Sequence, residues 1–465
     1  MPAATDPLLA PLPLDLPPVE RAARMPAGFR AIGTIAGIKA SGRPDFALIV
    51  ADGGPVPAAA VFTSNRFAAA PVRLSRANLQ ATGGTQATAG YARSVIATSG
   101  SANAATGSEG DADQVAIGLA VAAALGTRPE EVLHLSTGVI GIRIPVDKVT
   151  TTISRITSTA GAGAEGLTAT DDAFMAAAIS LRTTDSTTKA AAVRVSLPAA
   201  GGGAPVIVTV SGIAKGVGMI HPRMATMLSV VLTDATADPA TLRDLLRAAT
   251  ARTWDQLTVD GDTSTNDTVF LLASGAAGAA NAATNNEARA GLAAAIEAVA
   301  RDLARQQARD GEGATALITC QVTGADDDAD ARAIARAVVG SSLVKAAIHG
   351  KDANWGRIAG AAGNAIVAEA PILEAAGLSP AVAVARAGQP AAVDPSKLRI
   401  AIAGHLAYDG ALGGPTGIDK DAAREAMRAE EVLIRLDLGL GTGTGEAFGC
   451  PLTEDYVKEN AEYTT

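Results

Sequence analysis

The residue types on which many enzymes depend are scarce in this chain of 465 residues. Cys320 and Cys450 are its only cysteines, too few and too distant in sequence for a disulfide framework or a thiolate zinc cluster. Its four histidines stand apart, and none belongs to an HxH, HExxH or GxSxG pattern. If the chain acts on acyl groups, we therefore expect a general base other than histidine, and we expect no metal site.

Long basic runs and long apolar runs are also missing. The formal net charge is −9, without a run of lysine or arginine, which argues against nucleic acid and anionic lipid as partners. No apolar stretch is long enough to span a bilayer, and the start of the chain lacks the charged region and continuous apolar region of a signal peptide. We therefore expect a cytoplasmic protein with a small-molecule substrate.

Aromatic residues make up only 3% of the chain, although 48% of it is hydrophobic. The core must therefore be filled mainly by alanine, valine, leucine and isoleucine, which suits helices packed closely on sheets. A chain of this length exceeds one ordinary core, so two or three domains, or two closely packed halves, are expected. Residues 1–25 are rich in proline, and we expect them to form a disordered or weakly docked extension.

Short β-rich runs alternate with alanine-rich helical stretches from about Gly28 onward, which indicates a mixed α/β fold. Strands are predicted over 46–50, 94–100, 206–216 and 268–275, and helices over 111–126, 171–181 and 238–254. Thr170 is placed to cap the second of these helices, and Gly126 is placed to end the first. The glycine run 439–445 does not predict a dinucleotide loop, because Phe448-Gly449-Cys450-Pro451 follows where a phosphate-binding helix should begin.

The most informative stretch is 215–234, where a glycine-rich loop leads to a predicted buried strand that starts at or next to Thr226. A threonine hydroxyl is a weak nucleophile, but cleavage of the chain before Thr226 would free its own α-amine as a neighbouring base. Small Ala225 leaves its carbonyl open to attack, and Gly216 and Gly218 permit the tight turn that the attack requires. Self-cleavage would also explain the lack of a histidine base. The alternative is an ordinary turn followed by a core strand.

This stretch closely resembles the self-processing segment of the glutamate N-acetyltransferase (ornithine acetyltransferase, ArgJ) family, in which Lys-Gly leads through Gly-Met and Pro to Ala-Thr-Met-Leu. Further matches follow in family order over nearly the whole chain: GIKASGRPDFAL (37–48), TSGSANAATG (98–107), STGVIG (136–141), TTD (183–185), DGDTSTNDT (260–268), GEG (311–313), GKDANWGRI (350–358) and the terminal ENAEYTT. The resemblance implies an α/β fold of layered sheets sandwiched by helices, of the self-cleaving N-terminal-threonine-nucleophile type of DmpA and ArgJ. It also implies an α chain, with core residues 26–225, and a β chain, 226–465, joined in an α2β2 heterotetramer.

The resemblance also assigns roles to individual residues. It implies Thr226 as the nucleophile, freed by cleavage after Ala225, and Thr137 with Gly138 as the oxyanion hole. The implied substrate-binding residues are Thr183, Lys215, Thr226, Glu312, Asn460 and Thr465. N2-acetylornithine carries a carboxylate, an amine and an acetamide, so one cation, one carboxylate and several neutral hydrogen-bonding groups suit it. We hypothesise that Lys215 meets the carboxylate and Glu312 the ornithine ammonium group.

The implied reaction transfers acetyl from N2-acetylornithine to L-glutamate through acetyl-Thr226, in arginine biosynthesis and without a metal or organic cofactor. In a bifunctional enzyme, acetyl-CoA would be a second donor. His221 and Arg223 are more charged than the family's usual residues, which puts the cleavage rate in question more than the chemistry. Two alternatives stay open: an N-terminal-nucleophile aminopeptidase or amidohydrolase of related fold, in which water accepts the acyl group, and an uncleaved binding protein without catalysis.

Overall fold

The computed structural model describes residues 6–83, 88–158, 166–221 and 227–461, which form strands and helices arranged around three sheets. The strands are β1 (Phe29–Thr34), β2 (Phe46–Ala51), β3 (Val56–Phe62), β4 (Ala89–Ala92), β5 (Ser94–Ser101), β6 (Val132–Val139), β7 (Lys189–Leu197), β8 (Val206–Lys215), β9 (Leu228–Thr233), β10 (Thr268–Ala273), β11 (Leu317–Ala325), β12 (Arg399–Ile402), β13 (His405–Asp409), β14 (Gly414–Pro415), β15 (Glu431–Asp437) and β16 (Gly443–Gly449). The helices are α1 (Ala70–Gly83), α2 (Gly107–Leu125), α3 (Val146–Thr157), α4 (Asp171–Leu181), α5 (Pro239–Arg252), α6 (Asn286–Arg309), α7 (Asp328–Gly340), α8 (Ser342–His349), α9 (Trp355–Gly363), α10 (Ala370–Ala375), α11 (Pro380–Arg386), α12 (Lys420–Ala426) and α13 (Glu454–Ala461).

Two of the sheets share one hydrophobic core. The first has the strand order β1-β2-β5-β6, and the second has the order β4-β3-β10-β9-β8-β7. Buried side chains from both sheets form a single cluster with α1 and α4. Helices α2 and α3 pack on the other face of the first sheet, and α5 and α6 pack on the other face of the second. The fold is therefore a mixed α/β arrangement of layered sheets covered by helices, as the sequence predicted.

The third sheet has the strand order β14-β13-β12-β15-β11-β16 and forms its own core with α7 and the helices that follow it. Its edge strand β16 pairs antiparallel with β11 and contains part of the glycine run 439–445. The prediction that this run is not a dinucleotide loop is confirmed, because it leads into a strand. Phe448 of β16 packs into the core of the second sheet and so joins the two parts of the molecule.

Strand β9, which follows the glycine-rich loop, lies in the middle of the second sheet. All six of its residues are buried, and it pairs antiparallel with β8 and parallel with β10. The amide of Thr268 donates to the carbonyl oxygen of Met227 at 2.8 Å, so the head of the strand is fixed before Leu228. The predicted strand therefore exists, although it starts at Leu228. Residues 222–226, with Ala225 and Thr226, lie outside the described residues.

The predicted helix boundaries follow from local chemistry. The Thr170 hydroxyl accepts a hydrogen bond from the amide of Ala173 at 3.2 Å, and α4 begins at the next residue, Asp171. Gly126 adopts a left-handed conformation, with φ of 64°, and ends α2. Both predictions are confirmed.

The N-terminal segment contacts two of the sheets. The structure describes its residues 6–25, and residues 1–5 lie outside the described part of the chain. Asp6 pairs with Arg399 of β12, and Leu8 is buried. Glu20 exchanges two backbone hydrogen bonds of 2.8 Å with Ala192 of β7. The segment thus runs from the third sheet to the second, and composition did not show this because its partners are remote in sequence.

The polar tail also has regular structure, since residues up to Ala461 form α13. Among the helices of the described residues, none combines the length and the apolar character needed to cross a membrane.

Candidate functional site

A cavity of about 300 Å³ brings together six residues that the sequence singled out. Its lining includes Thr137, Gly138, Thr183, Lys215, Glu312 and Asn460. These residues come from the end of β6, the turn after α4, the end of β8, the loop after α6 and the last turn of α13. The structure therefore places together residues that are more than 300 positions apart. Thr226 and Thr465 lie outside the described residues.

The Thr137–Gly138 pair at the end of β6 is held by close backbone packing. Gly138 has φ of 135°, and a Cβ built on it would lie 2.3 Å from the carbonyl carbon of Gly100 in the paired strand β5. Only glycine fits such an approach. Asn266 donates to the carbonyl oxygens of Ser136, at 2.8 Å, and Ala102, at 2.6 Å, and so holds the end of β6 and the residue that follows β5 together. Sequence reasoning did not assign a role to Asn266, although it lies in the matched DGDTSTNDT segment.

Lys215 ends β8 and extends its ammonium group to the oxyanion-hole candidate. Its Nζ donates to the Thr137 hydroxyl at 3.1 Å. Burial lowers the pKa of Lys215 below its ordinary value, and the Asp185 carboxylate opposes this effect in part. Lys215 is therefore a cation that loses its proton more readily than an exposed lysine.

A buried ion-pair network supports the turn that carries Thr183. Asp185 accepts hydrogen bonds from the amides of Thr183, at 3.1 Å, and Gly216, at 2.8 Å. Its carboxylate pairs at 2.8 Å with Lys189, which also pairs at 2.5 Å with Asp310. Burial by itself would raise the pKa of Asp185, but Lys189 and Lys215 hold it below its ordinary value. Asp185 thus fixes the Thr183 turn against the Lys215–Gly216 bend, a role that sequence reasoning missed.

Glu312 is held by partners from two other parts of the chain. Its Oε1 accepts from the Thr184 hydroxyl at 3.0 Å, and its Oε2 accepts from the Asn460 side chain at 2.9 Å. The residue is only 9% exposed, and a Cβ on Gly218 would lie 2.2 Å from Oε2. A side chain at position 218 would therefore displace this carboxylate from its present position, and Asn460 joins the tail of the chain to the cavity.

The loop that leads to residues 222–226 is anchored by Asp260. Its carboxylate accepts from the amides of Met219, at 2.5 Å, and Ile220, at 2.9 Å, and burial raises its pKa. Met219 has a positive φ of 53°, an uncommon conformation for a side chain of this size. His221, which differs from the family's usual residue at this position, is held by Thr258, whose hydroxyl lies 2.9 Å from His221 Nδ1.

A second, smaller space of about 30 Å³ adjoins Thr137, Lys215 and Met227 and is also lined by Asp267. Asp267 is buried, and its Oδ2 has no hydrogen-bond partner in the part of the chain that the structure describes. Burial raises the pKa of Asp267 well above its ordinary value, against the effect of Lys215. Sequence reasoning missed this buried acid, which directly precedes β10 and lines the same space as Met227 and as Leu228 of the neighbouring strand. Within the same described ranges, no group of three or more histidine, cysteine, aspartate or glutamate residues is arranged to hold a metal ion.

The layered α/β fold therefore carries a cavity lined by one lysine, one glutamate and several small and neutral polar residues. A sequence model of the ArgJ family matches residues 30–465. The chain belongs to the ArgJ family.

Relatives of known name match this chain over nearly the whole length of both sequences. The arginine biosynthesis bifunctional protein ArgJ of Thermosynechococcus vestitus is 43% identical over 441 residues, covering 94% of this chain and 96% of its own. That of Thermus thermophilus is 43% identical over 444 residues, covering 96% of this chain and 100% of its own.

Two solved structures are also similar in sequence. The arginine biosynthesis bifunctional protein from Bacillus halodurans is 41% identical, with a TM-score of 0.44, over 51% of this chain and 99% of that one. The ornithine acetyltransferase of Mycobacterium tuberculosis complexed with ornithine is 37% identical, with a TM-score of 0.38, over 45% of this chain and 99% of that one.

Proposed function

We propose that this ArgJ-family enzyme transfers acetyl from N2-acetylornithine to L-glutamate in arginine biosynthesis. The observation that carries the proposal is the cavity in which Thr137, Gly138, Thr183, Lys215, Glu312 and Asn460 meet beside the head of β9. Thr226 is bonded directly to Met227, whose carbonyl group is held by β10. Met227, which follows the proposed nucleophile in sequence, lines the 30 Å³ space that adjoins Thr137 and Lys215, and this supports the proposal.

The first step of the proposal is self-cleavage. The Thr226 hydroxyl attacks the carbonyl carbon of Ala225, and the acyl group moves from nitrogen to oxygen, which breaks the peptide bond and leaves an ester. Water then hydrolyses the ester. This releases an α chain, 1–225, and a β chain, 226–465, whose new α-amine serves as the base for Thr226.

The second step is acetyl transfer. Thr226 attacks the acetamide of N2-acetylornithine, and ornithine leaves with the proton that its amine requires. Glutamate then attacks the acetyl ester and departs as N-acetylglutamate, which restores the threonine hydroxyl. Thr137 and the amide of Gly138 stabilise the oxyanion of each tetrahedral intermediate. The Thr137 oxygen accepts from Lys215, so its own proton is left to point at the oxyanion.

The charges of the cavity suit the two substrates. We assign Lys215 to the substrate carboxylate and Glu312 to the ornithine ammonium group, with Thr183, Asn460 and Thr465 as neutral or terminal contacts. Glu312 is already oriented by Thr184 and Asn460, so it meets the ammonium group without a large loss of side-chain freedom.

The remaining parts of the proposal concern partners. We propose that the chain works in the cytoplasm as an α2β2 heterotetramer and needs no metal or organic cofactor. The relatives are named bifunctional proteins. We propose acetyl-CoA as the second acetyl donor that would account for such a name.

Ornithine release from N2-acetylornithine, measured with and without glutamate, tests the proposal. Without glutamate, the processed enzyme should release about one ornithine per active site and then stop, because acetyl-Thr226 has no acceptor. Adding glutamate should start continuous release. The Thr226→Ala variant should release none. Continuous release without glutamate would contradict the proposal and favour the hydrolase alternative.

A further inference from the structure

The backbone that leads to the proposed cleavage junction is held by one neighbouring stretch of chain, residues 258–263, which we call the clamp. The amide of Val259 donates to the carbonyl oxygen of Ile220 at 2.7 Å. The Thr263 hydroxyl donates to the carbonyl oxygen of His221 at 2.9 Å. The clamp therefore holds two consecutive carbonyl groups of this backbone.

Asp260 is the side chain of the clamp that binds amides of the same backbone. One carboxylate oxygen, Oδ2, accepts from the amide of Met219 at 2.5 Å. The other, Oδ1, accepts from the amides of Ile220, at 2.9 Å, and Asp262, at 3.1 Å. Because both oxygens are occupied by backbone amides, this carboxylate orients the chain and is not directed at a substrate.

Met219 has a backbone conformation that its own side chain does not favour. Its φ is 53°, in the left-handed region, which is unfavourable for a residue with a long side chain. The residue is 44% exposed, so burial in a core does not impose this conformation. The charge-assisted hydrogen bond from its amide to Asp260 opposes the strain. Strain of this kind is concentrated at functional positions, and here it lies a few residues before Ala225.

The clamp is itself fixed by contacts that do not involve the loop that it holds. Lys345 of α8 is only 4% exposed, and its Nζ donates to the carbonyl oxygen of Val259 at 2.6 Å. The amide of Thr258 donates to the carbonyl oxygen of Phe448 in β16 at 2.9 Å. Helix α8 packs in the core of the third sheet, and β16 is a strand of that sheet. The clamp therefore has a fixed position against which the loop is held.

The chain is also fixed on the other side of the junction. The carbonyl oxygen of Met227 accepts from the amide of Thr268 in β10 at 2.8 Å. In sequence, the Ala225–Thr226 bond therefore lies between two held positions, His221 and Met227. Self-cleavage requires a hydroxyl oxygen to reach the carbonyl carbon of the preceding residue, and a small misplacement of reacting groups slows such a step strongly.

We propose that Asp260 is a positioning residue for self-cleavage, which acts by holding Met219 and Ile220 in the orientation that the reaction needs. The inference rests on the proposed function and deepens its first step. In that step the Thr226 oxygen bonds to the Ala225 carbonyl carbon, the peptide C–N bond breaks, and the hydroxyl proton passes to the new α-amine. Asp260 exchanges no proton, because both of its oxygens accept from backbone amides.

The rate of self-cleavage of the full chain, made by cell-free synthesis and followed over time on a denaturing gel, tests this inference. Asp260→Asn keeps the shape of the side chain but replaces one acceptor oxygen with a donor group, so cleavage should be at least about tenfold slower than in wild type. Asp330→Asn is the matched control. Asp330 is a buried aspartate of α7 that also accepts from a backbone amide, that of Ala392 at 3.3 Å, and its variant should cleave at the wild-type rate.

The melting temperature of each variant separates a positioning effect from a loss of stability. If Asp260→Asn does not fold, Thr263→Val decides the test, because it removes only the hydrogen bond to His221 and should slow cleavage at least about threefold. An unchanged rate in the folded variant that decides the test would overturn the inference and leave the proposed function intact. Equal slowing in Asp330→Asn would also overturn it, since the rate would then follow stability. A wild-type chain that stays uncut would overturn the proposed function and this inference with it.

Discussion

Lys215 occupies a position where two requirements oppose each other. In its proposed role it must carry a positive charge to hold a substrate carboxylate, yet its burial lowers its pKa below the ordinary 10.5. Asp185 and Glu312 favour the charged form, and Lys189 disfavours it. The balance leaves a lysine whose charge responds to pH at a lower value than that of an exposed lysine.

This balance predicts an alkaline limit to substrate binding. As pH rises through the lowered pKa of Lys215, the ammonium group loses its proton, so the KM for N2-acetylornithine should rise below pH 10.5. Lys215→Arg should remove this rise, because arginine keeps its charge throughout the range. Lys148→Arg, an exposed position on α3, is the matched control and should keep the wild-type profile. A KM for Lys215→Arg that rises with pH as in wild type would contradict the assignment.

At the scale of elements, the site depends on where strands end. The parallel strands β5 and β6 bring Gly100 and Gly138 side by side, and the oxyanion-hole candidate lies at this point. In the second sheet, β9 begins directly after Met227, whose carbonyl oxygen accepts a hydrogen bond from the amide of Thr268 in β10. The oxyanion-hole candidate and β9 therefore belong to two sheets, and these sheets share one hydrophobic core.

Gly138→Ala tests this close approach of strands. The new Cβ would lie 2.3 Å from backbone and would also require an unfavourable φ of 135°, so the variant should lose both stability and transfer activity. Gly141→Ala is the matched control. Gly141 has a positive φ of 85° with open space around its Cβ, so the substitution should cost only about 1 kcal/mol of backbone strain. Equal losses in denaturant unfolding for the two variants would contradict the packing argument.

Local signals in the sequence were sufficient for many elements. Thr170 and Gly126 predicted helix ends correctly, since a cap depends on residues a few positions apart. The resemblance predicted six residues that the fold does bring together. Asn266 and Asp267 escaped notice because their roles depend on partners far away in sequence. The Asp185–Lys189–Asp310 network was not predicted for the same reason, because buried ion pairs of this kind leave no regular spacing of residues in the sequence.

In the molecule as a whole, the N-terminal segment contacts both the second and the third sheet. It contacts Arg399 in the third sheet near its start and Ala192 in the second sheet near Glu20. Arg21 also pairs with Asp302 of α6. The segment therefore lies across the two sheets, and its contacts stabilise both of them.

Deletion of residues 2–18 tests this role. The deletion removes buried Leu8 and the Asp6–Arg399 pair, so the free energy of unfolding should fall by about 2 kcal/mol or more, most of it from Leu8. Deletion of residues 2–5 is the control, because it leaves Asp6 and Leu8 in place. Urea unfolding of both proteins measures the difference. Equal stability of the two deletion variants would contradict the docked position of the segment.

The proposed chemistry depends on a covalent break between Ala225 and Thr226, and the intact mass of the purified protein shows whether that break occurs. We expect two polypeptides in the wild type, one that ends at Ala225 and one that begins at Thr226, and a single uncut chain in Thr226→Ala. A wild-type protein that shows only the mass of the full 465-residue chain would contradict the claim. In that case the cavity would have to serve an uncleaved protein that binds its ligand without this chemistry.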